Sequence, residues 1–199
     1  MSDAERDEDL VRRFRAGEPD AFTDLVRRHQ QRVYSLCLRV LGDADAAADV
    51  AQDTFIAVLR KLDSFRGDAA FTTWLHRVAL NACYDELRKK RRRPMLHIAA
   101  DDGTQREPGP PVLDHADEVA GTRDVAAALA TIPEEFRVAL VLADVQDMAY
   151  DRIAHVLDVP IGTVKSRVHR GRLALAAAMG IDLATGEPPA RSRPSEQEP

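Results

Sequence analysis

The sequence predicts an all-α protein of two small helical domains, an N-terminal helical bundle and a C-terminal helix-turn-helix domain, joined by a flexible linker. Three observations predict it. Apolar residues recur at the 3.6-residue period along most of the chain, aromatic residues make up only 5%, and an acidic Pro/Gly-rich stretch interrupts the pattern after the middle. With 199 residues and 45% apolar content, the chain has material for one or two ordinary cores.

Residues 1–9 hold five acids and one arginine and read as an acidic tail; they contain no apolar segment of the kind a secretory leader needs. Residues 10–93 read as four helices. Phe22, Leu25 and Val26 begin an apolar face that Val33, Leu36, Cys37 and Val40 extend, and Gly42-Asp43 stops that helix. The next helix points Ala47, Val50, Ala51, Phe55, Val58, Leu59 and Leu62 inward, leaving Asp45, Asp49, Gln52 and Asp53 along the opposite stripe. By spacing alone, that stripe suits a solvated face as well as a protein interface. A turn-rich loop, Asp63-Ser64-Phe65-Arg66-Gly67-Asp68-Ala69, leads to a helix with Phe71, Trp74, Leu75 and Val78 on one face. Trp74 fits a core position better than a base-stacking platform. This helix closes on Arg88-Lys89-Lys90-Arg91-Arg92-Arg93, six consecutive cations, more than a helix dipole needs and suggestive of phosphate contact.

Residues 94–120 form the predicted linker. Six acids stand there against Arg106, and Pro108-Gly109-Pro110-Pro111 forbids a continuous helix. The second domain spans 121–178, and 179–199 reads as a disordered tail rich in Pro, Ser and Glu. Within that domain Tyr150, Ile153, Ala154 and Leu157 share one helical face, Asp158 to Gly162 break the helix, and Val164 and Val168 start another. From Gly162 to Arg172 there are four cations (Lys165, Arg167, Arg170, Arg172) and no acid, with Thr163, Ser166 and His169 as further donors, in a chain of net charge −5. This local reversal of sign is suited to DNA.

Several classes are disfavoured. No apolar run approaches the ~18 residues of a membrane span, so membrane insertion is not expected and a cytoplasmic location is. The two cysteines, Cys37 and Cys83, have no metal-type spacing, and Cys37 reads as plain core. No phosphate-binding loop or nucleophile–base spacing appears, and His29, His76, His97 and His115 share no common spacing, so neither an enzyme nor a cofactor is expected.

Taken in order, Asp49-Val50-Ala51-Gln52-Asp53-Thr54-Phe55, Leu62 to Asp68 with Phe71-Thr72-Thr73-Trp74-Leu75, Ile132-Pro133-Glu134-Glu135-Phe136-Arg137 and Gly162-Thr163-Val164-Lys165-Ser166-Arg167 resemble the extracytoplasmic-function group of sigma-70-type bacterial sigma factors. The resemblance covers 10–93 and 121–178. It implies a transcription initiation factor that directs core RNA polymerase to promoters. It also implies that Asp49, Gln52 and Asp53 dock on the clamp helices of the polymerase largest subunit. Phe65, Val78, Asn81 and Ala82 then form the pocket for an unstacked base of the −10 element, flanked by Asp85 and Arg88. Lys165, Ser166, His169 and Arg170 face the −35 major groove, with Thr163 beside them and Arg167 and Arg172 on phosphates or packing. Promoter DNA, both duplex and single-stranded, and an anti-sigma factor are the further implied partners. The alternative is a regulator of the response-regulator type, whose DNA-binding module shares Gly-Thr-Val-Lys-Ser but whose receiver needs strands that 10–93 does not offer.

Overall fold

The computed structural model describes residues 3–67, 69–92 and 119–181, and among them every regular element is helical. Four helices build the first unit: α1 Asp3–Arg15, α2 Pro19–Leu41, α3 Ala44–Lys61 and α4 Phe71–Arg92. Four more build the second: α5 Val119–Thr131, α6 Glu134–Leu140, α7 Tyr150–Leu157 and α8 Ile161–Ala178. A π-helical turn over Val141–Val145 continues α6.

The helix boundaries follow from local chemistry. Pro19 opens α2 where a missing N–H costs nothing, and Gly42 closes it in the left-handed region (φ 70°), donating its N–H to the Leu38 carbonyl. Asp43 then caps α3, its carboxylate accepting from the Ala46 N–H at 3.0 Å. That N–H and the ammonium of Lys90 hold the Asp43 carboxyl below the usual carboxylate range. In the second unit Asp158 adopts φ 53°, ψ 49°, a left-handed turn that aspartate tolerates and that ends α7 at the break read from sequence. Helix α8 resumes at Ile161, so Gly162 lies in its first turn rather than in the break.

The core of the first unit gathers Leu25, Val33, Leu36, Cys37 and Val40 of α2, Val50 and Val58 of α3, and Phe71, Leu75 and Leu80 of α4. The two thiols meet inside it, Cys83 Sγ donating to Cys37 Sγ at 3.7 Å, and this bond with burial pushes the Cys83 thiol far up. Such a thiol is chemically quiet. Leu59, expected inward, is 45% exposed, although its neighbours Val58 and Leu62 are buried.

The acidic segment expected as a tail is instead the start of α1 from Asp3 onward. Acids suit a helix N-terminus. Asp7 turns inward and is fully buried, its carboxylate 3.1 Å from His29 Nε2 and 3.4 Å from the Arg28 guanidinium. A buried carboxylate is tolerated only with such partners. Val119 and Ala120, assigned to the linker, already belong to α5. Residues 93–118 and 182–199, with the rest of the expected linker and tail, lie outside the described residues.

In the second unit the buried Arg137 directs its guanidinium toward the carbonyls of Leu129 and Ala130, the last turn of α5. Gly171 of α8 lets α6 approach closely: a Cβ there would stand 2.9 Å from the Phe136 carbonyl oxygen. The two units pack together, α7 against α4 and α5 against α2. The π turn presents Gln146 to the first unit, with its Oε1 3.4 Å from His76 Nε2 and its Nε2 donating to the Arg32 carbonyl at 3.3 Å. An Arg91–Glu134 ion pair adds a second link.

Candidate nucleic-acid and polymerase interface

Three surfaces carry the residues singled out by sequence. The first is on α3. Because Ala47, Val50, Ala51 and Val58 are turned into the core, Asp49, Gln52 and Asp53 stand exposed on the far side, and neither carboxylate is ion-paired among the described residues. Ile56 continues the same stripe one turn on and is 39% exposed. Sequence periodicity missed it because Ile56 breaks the polar pattern of that side.

The second surface combines the 62–70 loop with α4. Phe65 is buried rather than displayed: its ring meets Phe71 edge-on at 5.8 Å and Trp74 at 5.3 Å. The loop is held by Arg15 from the end of α1, which donates to the carbonyls of Leu62 (2.7 Å), Asp63 (3.1 Å) and Phe65. That clamp was invisible in sequence, since Arg15 lies 50 residues from Phe65. A cavity of about 570 Å³ opens here, lined by Phe65, Arg66 and Trp74 from the first unit and by Arg152 and His155 of α7. Val78, Asn81 and Ala82 do not line it; they follow Trp74 and Arg77 along α4. Asn81 is exposed, Val78 and Ala82 half-buried. Asp85 is ion-paired with Arg88 one turn on. Within the basic run Lys89 pairs with Glu86, Lys90 with Asp43 and Arg91 with Glu134. Exposed pairs of this kind are worth ~0–1 kcal/mol each, so phosphates can displace them.

The third surface is α8. Val164 and Val168 are buried, which turns Lys165, Ser166, His169 and Arg170 outward, with Thr163 half-buried at the rim. Arg167 and Arg172 are held within the unit. Arg167 pairs with Glu135 at 3.0 Å, and Arg172 forks onto both oxygens of Asp144, which raises its already high pKa. Arg170 leans over the Phe136 ring, 5.7 Å from its centroid. Of the seven α8 residues named from sequence, two are therefore ion-paired within the unit in this arrangement.

Two histidines of the first unit have structural partners: His29 pairs with Asp7, and His76 bridges to Gln146. Among the described residues no group of three or more His, Cys, Asp or Glu is placed to hold a metal ion, and no helix is long and apolar enough to cross a membrane. No strand occurs within the described part of 10–93, which removes the receiver required by the response-regulator alternative.

Comparison with known proteins agrees with this architecture. The model of Sigma-70 region 2 matches residues 25–93, and that of Sigma-70, region 4 matches residues 122–175. The chain is 38% identical to the RNA polymerase sigma-H factor of Pseudomonas aeruginosa over 90% of its own length and 96% of that protein. It is 37% identical to the ECF RNA polymerase sigma-E factor of Escherichia coli K12, over 88% and 95%. The solved structure of CnrH in complex with the cytosolic domain of CnrY shares the fold with a TM-score of 0.61 at 27% identity, covering 88% of this chain and 96% of that one. Two family regions in the expected order, with relatives matched over nearly their whole length, establish that the chain belongs to the extracytoplasmic-function sigma factors of the sigma-70 family, which act in transcription initiation.

Proposed function

We propose that this initiation factor divides its work among the three surfaces. The α3 stripe of Asp49, Gln52 and Asp53, extended by Ile56, docks on the clamp helices of the polymerase largest subunit. Residues 10–93 as a unit serve the −10 element: the Phe65 loop and the α4 flank of Val78, Asn81 and Ala82 take an unstacked base, and Arg88 moves from Asp85 to a strand phosphate. Asn81 has both a donor and an acceptor for a base edge, as such reading requires. Residues 121–178 serve the −35 element through α8.

No covalent step is needed. Capturing an extruded base offsets an unpairing and unstacking cost of a few kcal/mol, and polymerase contacts supply the remainder. The factor then acts in the cytoplasm, where polymerase and chromosome are. CnrH was solved in complex with the cytosolic domain of CnrY, and an anti-sigma factor is the partner proposed for the present chain.

The observation that carries this reading is the division of labour on α8. Lys165, Ser166, His169 and Arg170 are exposed on one face, while Arg167 and Arg172 are tied to Glu135 and Asp144. A recognition helix needs such a face free for base edges. Replacing Lys165 or Arg170 with alanine should weaken promoter use by ~1–3 kcal/mol for each lost base contact, and the loss should vary with the −35 sequence. Equal loss on every −35 variant would leave these residues as phosphate contacts only.

A further inference from the structure

We infer that the cavity between the Phe65 loop and α7 is a binding site for a nucleotide carrying more than one phosphate, and that the bound nucleotide holds the two units together. Its inner wall is apolar and aromatic: Phe65, Trp74, Ala69 and Ala70. Its rim carries three arginines, Arg66 and Arg77 from the first unit and Arg152 from the second, with the His155 imidazole beside Arg152. Among the described residues none of these four side chains has a hydrogen bond or ion pair. Elsewhere the same interface is complementary, joined by Arg91 to Glu134 and by the Gln146 amide to His76 and Arg32. Packing that gathers like charges at one spot of an otherwise matched interface calls for an anion there.

The chemistry of the walls narrows the anion. Guanidinium groups pair with phosphates through parallel N–H donors, and a half-buried indole offers a face on which any base can stack. About 570 Å³ lies within the size range of small-molecule sites. Three guanidinium groups with an imidazole beside them exceed what a single phosphate would engage. Since Arg152 and His155 belong to α7, a ligand touching all four meets them only when the units are packed, so its binding favours that arrangement. An occupied cavity also withholds the Phe65 loop from a promoter strand, a consequence that rests on the −10 role proposed above.

Trp74 is the sole tryptophan of the chain and lines the cavity, so its emission reports occupancy directly. The full-length protein is titrated with ATP, with adenosine and with inorganic triphosphate, and Arg152→Ala is titrated in parallel. ATP should change the emission saturably, adenosine and triphosphate alone should each bind at least about tenfold more weakly, and Arg152→Ala should weaken ATP binding by about tenfold or more. Absence of a saturable response to ATP, or unaltered ATP binding by Arg152→Ala, overturns the site. A single-stranded −10 oligonucleotide provides the separating arm, because Arg152→Ala should keep its affinity for that strand. Equal loss of ATP and oligonucleotide binding would make Arg152 a promoter contact and also overturn the inference. Failure of the −10 role shows elsewhere, as unchanged oligonucleotide affinity in Asn81→Ala.

Discussion

Arg15, the last residue of the first helix, donates a hydrogen bond to the backbone carbonyl of Phe65, and the same guanidinium also holds Leu62 and Asp63. One side chain thereby fixes the shape of the loop proposed to read the −10 element. Charged donors make hydrogen bonds worth ~1.5–3 kcal/mol when broken, enough to loosen a short loop without unfolding the bundle. Arg15→Ala should impair promoter melting and −10 discrimination, as should Asn81→Ala, while both keep native affinity for core polymerase. Permanganate footprinting of the open complex is the readout. Normal thymine reactivity in Arg15→Ala would show that the loop needs no clamp, and in Asn81→Ala it would remove that residue from base reading.

His76 sets a pH dependence. Burial pushes its imidazole below the ordinary value of 6.5, and nearby His29 and Arg32 add to the effect against the opposing pull of Thr72 and Gln146. Below pH 6.5 the unfolded chain takes up a proton that the folded imidazole resists. Stability is therefore complete above that pH and falls as the pH drops toward the depressed folded value. Denaturant midpoints measured on both sides of pH 6.5 should fall less steeply for His76→Gln than for the native chain. Identical pH slopes would show that His76 does not titrate in this window.

The helix pattern was readable where burial follows a single period. The α2 and α3 faces, the Gly42-Asp43 break and the left-handed Asp158 all stand where apolar spacing and turn chemistry put them. What was hidden shares one physical cause, polar pairing across long sequence separations. Asp7 reads as one more acid in an acidic stretch until His29 and Arg28 close around it. Gln146 has no local signal at all, since its partners His76 and Arg32 are 70 and 114 residues away. The two cysteines lie 46 residues apart, yet their sulfurs touch. Phe65 was placed correctly in a loop, but its packing on Phe71 and Trp74 depends on Arg15, which no local rule couples to it.

The α3 stripe has a direct test. Asp49→Lys with Asp53→Lys reverses two exposed, unpaired carboxylates on a face away from the core, so the fold should survive with helicity unchanged. Surface substitutions usually stay within about ±0.5 kcal/mol of native stability. Core polymerase association should be lost, whether followed by co-purification or by gel shift of the complex. Native affinity in the double variant would return the stripe to the status of a solvated face.

Run-off transcription on genomic fragments, with core polymerase alone and with this protein added, weighs most directly on the division of promoter reading between two helical units. In the structure the units are packed, α7 on α4, with Arg152 and His155 lining the cavity beside the Phe65 loop. Reading a −10 and a −35 element together requires them to separate and be held at a fixed span, which core polymerase provides. Added protein should therefore create new start sites that depend on both elements, while the protein alone binds promoter duplex weakly and with a steep salt dependence. Demonstrated core binding with no new start site across the whole template set would contradict it.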